Sequence, residues 1–222
     1  MNKIYIASFD IGQKNFAFVV EEIYVDELKK LKPPKYGNRY TITGEPSTEF
    51  ESFLPQLYTC GKIILVENLD LTTNCNKSLY LDPKVFINMI DVLNKYKSYW
   101  DKCSAIIIEK QMSFGKNKNN TMALKLGQHC YSYFTFLYRD TKEIIEFPAY
   151  HKTQILGAIK KITKPQRKKW AVDIVLEILQ LRCDDETFSK IQTKQKRDDM
   201  ADCFLMTICY SFLKFVENKK FF

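Results

Sequence analysis

Glycine is scarce in this chain, and long apolar runs are absent from it. Only 7 of its 222 residues are glycine, against about 7% in an average protein, a skew that we attribute to AT-rich coding. No stretch approaches the roughly 18 consecutive apolar residues of a membrane-spanning helix. The chain begins with the strand-like IYIASFDIG rather than with a basic and then apolar leader. We therefore expect a soluble protein that is not secreted and has no membrane partner.

Paired cysteines are also missing. The seven cysteines form no CxxC pair, are odd in number, and mostly lie in apolar runs such as CFLMTIC. That distribution is typical of reduced core residues in a cytosolic or nuclear protein. Neither His129 nor His151 has a second ligand at a zinc-binding spacing, so no zinc site is expected.

Length and charge limit the number of domains and the kind of partner that the chain can have. The chain has 222 residues, of which 45% are hydrophobic, enough for one α/β domain and too few for two ordinary ones. We predict a single domain over residues 1–222. Lys and Arg together number 34 against 26 acids, a net charge of +8. A polyanion is a candidate partner, and the alternative is a basic protein whose lysines simply face water.

Apolar periodicity predicts an α/β fold with a mixed sheet flanked by helices. The expected strands are 4–9, 16–23, 62–71, 105–109 and 143–147, and the expected helices are 85–100, 121–138, 164–181 and 198–216. The first two strands form a hairpin through GQKN, and the wholly apolar run before Glu109 is typical of a strand buried on both faces. Residues 24–60 are polar and without a sustained period, so we assign them no secondary structure and interpret them as an insertion.

Four carboxylates lie on three of these elements. Asp10 in SFDIGQKNFAF and Glu109 in AIIIEKQ each end a strand at the rim of the sheet, while Asp199 and Asp202 in KRDDMADC share one helical face. Acids gathered at such a rim repel one another unless cations neutralise them. Two Mg²⁺ ions roughly 4 Å apart there would hydrolyse a phosphodiester.

Each acid has a simpler interpretation when it is taken alone. Asp10 could be a turn residue, Glu109 a solvated strand end, and Asp198 and Asp199 ordinary acids at the start of a helix. Their conjunction on three elements favours a metal site. Helical geometry leaves the third ligand open, because Asp198 stands four residues before Asp202 and shares its face equally well.

In this order, the three segments are similar to the motifs of RuvC-type Holliday junction resolvases of the ribonuclease H-like superfamily. The closest likeness is to those of poxviruses and other nucleocytoplasmic large DNA viruses. Its specific parts are the acid, Ile-Gly, Lys-Asn string after the first strand and the Glu, basic residue, Gln string after the fourth. The resemblance covers most of the chain except about 24–60. It implies a ribonuclease H-like fold with a five-stranded sheet, antiparallel at first and then parallel.

The resemblance also implies roles for particular residues. Asp10, Glu109, Asp199 and Asp202 would be the catalytic metal ligands, with the DxxD spacing favouring Asp199. They would hold Mg²⁺, with Mn²⁺ as a substitute and two ions in each active site. A catalytic lysine would project from the helix before the last one. Lys169 is its best match and Lys168 the next, although a basic helix start is the alternative for both.

Basic residues adjoin every element that carries an acid, as expected for a phosphate backbone crossing the site. The candidates for DNA binding are Lys14, Lys110, Lys116, Lys118, Lys160, Lys161, Arg167, Lys168, Lys196 and Arg197. No base-reading module is recognisable, so recognition is expected to depend on DNA shape.

The function implied by the resemblance is Mg²⁺-dependent cleavage of Holliday junctions and other branched DNA by paired symmetric cuts, in recombination and repair. The enzyme would be a twofold homodimer in the replication factories of a virus in the host cytoplasm, with no small-molecule substrate. Helix 121–138 is a candidate dimer face or else ordinary core. The alternatives are a ribonuclease H-like nuclease for RNA:DNA hybrids and a non-catalytic protein that binds branched DNA.

Overall fold

The computed structural model describes residues 2–76, 78–79, 82–111, 121–194 and 196–221. Within them one sheet has the strand order β3-β2-β1-β4-β5. The strands are β1 (Lys3–Asp10), β2 (Phe16–Tyr24), β3 (Gly61–Leu69), β4 (Cys103–Lys110) and β5 (Glu143–Pro148). β2 is antiparallel to β1 and β3, whereas β4 is parallel to β1 and β5. The predicted mixed five-stranded sheet is therefore confirmed.

Helices cover both faces of the sheet. They are α1 (Val25–Lys30), α2 (Thr48–Tyr58), α3 (Pro83–Lys95), α4 (Lys97–Trp100), α5 (Thr121–Tyr138), α6 (Tyr150–Leu156), α7 (Lys164–Leu181), α8 (Asp185–Thr193) and α9 (Arg197–Ser211). Alternate strand residues face opposite sides, as pleating requires. Ile6 packs with α2, α7 and α9, whereas Ala7 and Phe9 pack with α3 and α5. None of the helices in the described ranges is long and apolar enough to cross a membrane.

Several helices lie where the sequence predicted none. Residues 24–60 contain α1 and α2, whose apolar side chains, among them Leu28 and Phe50, are fully buried. α6 and α8 were also missed, because they have only 7 and 9 residues, too few to establish a helical period. The helix expected over 85–100 is divided into α3 and α4 at Tyr96. The last expected helix ends in a π-helical turn, Phe212–Val216.

The strand register positions the first two acids. Phe9 of β1 pairs with Ile108 of β4 in a parallel arrangement. Asp10 and Glu109 are the next residues of their strands, so they lie side by side at the edge where both strands end.

Candidate active site

α9 brings the remaining acids to this edge. It packs across β1 and β2 with almost every residue after Asp199 buried. A buried polar cluster fixes its position, because the hydroxyl of Ser8 donates to the Cys203 carbonyl at 2.8 Å and the Thr207 hydroxyl lies 2.9 Å from that of Ser8. Ser8 stands two residues before Asp10, so this cluster sets the distance between β1 and the acids of α9.

The four predicted carboxylates converge on one cavity. It has a volume of about 220 Å³ and is lined by Asp10, Glu109, Asp199 and Asp202 together with Lys164, Arg167 and Lys168. The acids come from β1, β4 and α9, and the three cations come from the first turns of α7. The cavity therefore has an acidic floor beside a basic helix end.

A further cation, which the sequence reasoning missed, lies among these acids. Lys152 of α6 is only 5% exposed. Its ammonium nitrogen lies 3.0 Å from Oε1 of Glu109 and 3.1 Å from Oδ1 of Asp202. The sequence did contain a signal for Lys152, because it stands shortly after β5. β5 runs parallel to β4, so both strands end at the same edge of the sheet, where Glu109 lies.

The buried charges shift one another's pKa values. Burial, and then the negative charge of Glu109 and a hydrogen bond between the two carboxyls, hold the pKa of Asp10 well above its ordinary value. Burial opposes ionisation of Glu109 too, but the Lys152 ammonium and hydrogen bonds from its neighbours outweigh it, so the pKa of Glu109 is lowered. Despite burial, Glu109, Asp202 and Asp10 raise the pKa of Lys152. These surroundings therefore favour the neutral form of Asp10 and the charged forms of Glu109 and Lys152.

Asp198 and Asp199, the two candidates for the third metal ligand, differ in their surroundings. The carboxylate of Asp198 is paired with the Lys168 ammonium, which lowers the pKa of Asp198 in spite of burial. Burial, followed by the charge of Asp198, raises the pKa of Asp199 to about 6. Oδ2 of Asp199 is buried and accepts no hydrogen bond from any described group. Asp199 thus has a carboxylate oxygen available to a cation in the cavity, whereas the carboxylate of Asp198 is already held.

The donor set fits Mg²⁺, although no group of three or more acidic, His or Cys side chains in the described ranges is already arranged around an ion position. The ammonium of Lys152 lies between Glu109 and Asp202 and supplies positive charge to both carboxylates. The donors are all carboxylate oxygens, which Mg²⁺ prefers. The buried, unpartnered Oδ2 of Asp199 is one oxygen that could bind such a cation.

The predicted cations occupy different places. Arg167 and Lys168 line the cavity, whereas Lys169 is exposed and is not among the described lining residues. The other described candidates are exposed on the surface: Lys14, Lys110, Lys160, Lys161, Lys196 and Arg197. Lys116 and Lys118 lie outside the described residues. The choice of catalytic lysine and the DNA-binding roles stay predictions.

Comparisons with known proteins identify two relatives in sequence. No protein-family model matches the chain. Uncharacterized protein 170L of Invertebrate iridescent virus 6 is 30% identical, over 97% of this chain and 92% of its own length. Uncharacterized protein 97L of Invertebrate iridescent virus 3 is 31% identical, over 92% of this chain and 98% of its own. The chain belongs to this iridovirus 170L/97L family.

Solved structures show which fold this 170L/97L family member has. The Fowlpox virus resolvase in complex with substrate Holliday junction DNA has a TM-score of 0.52 at 19% identity, over 94% of this chain and 97% of that one. The yeast mitochondrial Holliday junction resolvase has a TM-score of 0.54 at 13% sequence identity, over 93% of this chain and 77% of that one. RuvC of Thermus thermophilus has a TM-score of 0.51 at 11% sequence identity, over 96% of this chain and 97% of that one. The fold is that of the RuvC-like resolvases.

Proposed function

We propose that this protein is a Mg²⁺-dependent endonuclease that resolves Holliday junctions and other branched DNA by paired symmetric cuts. One observation carries the proposal: on a RuvC-like fold, four carboxylates from three elements line one cavity with Lys164, Arg167 and Lys168. Carboxylates alone would repel a phosphodiester, and cations alone would bind it without cleaving it. The combination suits metal-assisted hydrolysis of a nucleic acid.

In this proposal, Asp10, Glu109, Asp199 and Asp202 hold the metal, with Mn²⁺ able to replace Mg²⁺. Two bound ions would activate a water and stabilise the charge that develops on the phosphate and the departing oxygen. Lys152 orients the carboxylates of Glu109 and Asp202 and offsets their charge. Of the two candidates for the catalytic lysine, Lys168 has the more suitable position, because it lines the cavity beside the acids.

Two symmetric cuts require two active sites, so we propose a twofold homodimer. The inner side of α5 packs in the core through Leu126, Cys130 and Phe134. Its outer side carries Phe136, which is 84% exposed, and that exposure supports α5 as the dimer face. Sedimentation equilibrium of the purified chain tests this assembly.

Both sequence relatives are proteins of iridescent viruses, which supports a viral origin for this chain. We propose that the protein acts on recombination and replication intermediates in the host cytoplasm. The two alternatives differ in what the site does. A ribonuclease H-like enzyme would cut RNA in a hybrid, and a non-catalytic protein would bind branched DNA without cutting it.

A cleavage assay on matched substrates separates these functions. Labelled four-way junctions, linear duplexes and RNA:DNA hybrids are incubated with the protein in Mg²⁺, in Mn²⁺ and in EDTA. We expect paired symmetric cuts with 5′-phosphates in the junction only, and no cleavage in EDTA. Cutting of the hybrid instead of the junction would assign ribonuclease H activity. Binding of the junction without cleavage in either metal would assign a binding protein.

Conservative variants of the acids test the metal assignment. Asp202→Asn and Asp199→Asn should lower the cleavage rate by about 100-fold or more while leaving junction affinity largely intact. Asp198→Asn should have a smaller effect, because Asp198 pairs with Lys168. Asp173→Asn, at an exposed position on α7, is the matched control. Joint loss of folding and binding in Asp202→Asn would mean that Asp202 is structural and the metal assignment is wrong.

A further inference from the structure

An exposed apolar side chain lies at the tip of a tight turn within residues 24–60. The turn is closed by a bridge between Tyr40 and Pro46. The Thr41 amide donates to the Glu45 carbonyl at 2.8 Å, and the Gly44 amide donates to the Thr41 carbonyl at 3.0 Å. Ile42 is 95% exposed, the largest fraction among the big apolar residues that the structure describes. Residues 41–44, which we call the tip, therefore present Ile42 on a well-defined backbone.

The tip is bound to the connection between α6 and α7. The backbone amide of Lys160 donates to the Thr43 carbonyl at 2.8 Å, and its ammonium donates to the Ile42 carbonyl at 3.1 Å. Behind the tip, the Tyr40 hydroxyl donates to the carbonyl of Ile155 in α6 at 2.9 Å. The tip is thus attached to the segment that runs from Lys152 to the basic end of α7.

This attachment places the tip near the cavity. Lys160 stands four residues before Lys164, which lines the cavity, and four residues span at most about 14 Å. Lys160, Lys161, Lys164 and Arg167 are all exposed along this path. The acid of the turn, Glu45, accepts a hydrogen bond from the Thr43 hydroxyl at 2.9 Å. Ile42 therefore projects from a rim, formed by residues 41–45 and 160–167, whose exposed charged groups are four cations and one acid, Glu45.

Exposure alone means little, since single apolar residues are common on protein surfaces. Ile42 differs in standing on a braced turn that is hydrogen-bonded to Lys160, at the start of the basic segment that leads to the cavity. That rim attracts phosphates, and it would repel the same rim of a second copy of this chain. Apolar side chains wedge between base steps in several DNA-bending proteins, and unstacking costs least where stacking is already interrupted.

We propose that Ile42 is a DNA contact that packs against the bases or sugars at the branch point of the substrate. The inference rests on the proposed function and extends it, because it assigns part of the recognition of branched DNA to a segment outside the catalytic core. The cations of the rim hold the backbone of an arm, and Ile42 favours the unstacked geometry over a continuous duplex.

The first test compares affinities in EDTA, where no cleavage occurs. Ile42→Ser should weaken binding to a four-way junction by about tenfold, from the loss of one buried apolar side chain, with unchanged affinity for a linear duplex. Its thermal midpoint should match that of the parent, because the side chain is exposed. Ile87→Ser is the control: Ile87 is also an exposed isoleucine, 50% exposed on α3, which packs on the opposite face of the sheet. It should leave both affinities unchanged.

The second test is photocrosslinking with p-benzoylphenylalanine in place of Ile42. Irradiation with labelled junction DNA should give an adduct at nucleotides next to the branch point. Adducts between protein chains instead of with DNA would overturn the inference and assign the tip to self-association. If the parent cuts junctions, but Ile42→Ser binds them normally and no DNA adduct forms, the inference fails and the proposed function stands. If the parent neither binds nor cuts branched DNA, both fail.

Discussion

Lys152 determines how four acids coexist at the edge of one sheet. Its ammonium is almost fully buried and contacts carboxylates from two different elements. Removing one partner of a buried ion pair is strongly destabilising, because the remaining charge is left without compensation. The same lysine keeps Glu109 ionised, and an ionised carboxylate is the form that binds a metal. Lys152 therefore has a structural role and, in the proposed function, prepares the site for a cation.

This double role predicts that Lys152→Met lowers the free energy of unfolding by about 3 kcal/mol and abolishes junction cleavage. Mg²⁺ should restore part of the lost stability, because an ion bound to the native state replaces the missing positive charge. Urea denaturation in EDTA and in Mg²⁺ measures both effects. Lys125→Met, at an exposed position on α5, is the control and should change stability little. An equal loss in EDTA and Mg²⁺ would count against a cation site beside Lys152.

α7 begins with charges that oppose its own dipole. Its first turns contain Lys164, Arg167 and Lys168 and no acid, although the positive end of a helix dipole favours acids. A capping box compensates, because Oγ1 of Thr163 accepts from the Gln166 amide and Oε1 of Gln166 accepts from the Thr163 amide at 2.8 Å. Such a local conflict is typical of a functional site. Pro165 has no amide hydrogen, and the amides of Gln166 and Arg167 donate to Thr163 within the helix, so the side-chain cations of this turn are what could bind a phosphate.

Loss of this cap should therefore affect both folding and binding. Thr163→Ala is expected to lower the free energy of unfolding by about 1 kcal/mol and to weaken junction binding, because the turn that carries the cavity cations frays. Asp184→Ala is the comparison: it removes the cap of α8, none of whose residues lines the cavity. That variant should lose similar stability without weaker binding. Thermal unfolding and fluorescence anisotropy provide the two measurements.

The charge of the whole chain is distributed unevenly. The net charge is +8, and the four acids of the cavity are matched in number by Lys152, Lys164, Arg167 and Lys168, so the excess positive charge lies on the surface outside the cavity. Electrostatic attraction of this kind is sequence-independent and sensitive to salt. In the proposed function, such attraction would provide DNA affinity without any base-reading module.

The salt dependence of junction affinity follows from this distribution. If about six phosphates are contacted, affinity should fall roughly 10³-fold between about 50 and 200 mM salt. Anisotropy titrations at several salt concentrations give the slope of log affinity against log salt. A slope near zero would show that the exposed lysines only face water, as in the simplest interpretation of the composition.

Residues 24–60 show where prediction from sequence reached its limit. Their polar, proline-containing sequence gave no period, yet α1 and α2 bury Leu28 and Phe50 in the same core as α7 and α9. Arg39 joins this segment to the end of the chain through Glu217, at 2.7 Å. These contacts depend on partners far away in the sequence, which no local pattern reveals.

The sequence by itself determined the mixed sheet and the place of the first two acids, because strand alternation and apolar runs are local properties. Parallel strands end at one edge, so both acids were expected there, and the pairing of β1 with β4 puts them side by side. Only the tertiary structure brought Lys152 to Glu109, 43 residues away. It also distinguished Asp198, which pairs with Lys168, from Asp199, whose Oδ2 is unpartnered. Only the packing of the tip against Lys160 placed Ile42 near the cavity. These ion pairs and contacts depend on how separate elements pack, and helical or strand periodicity carries no information about that.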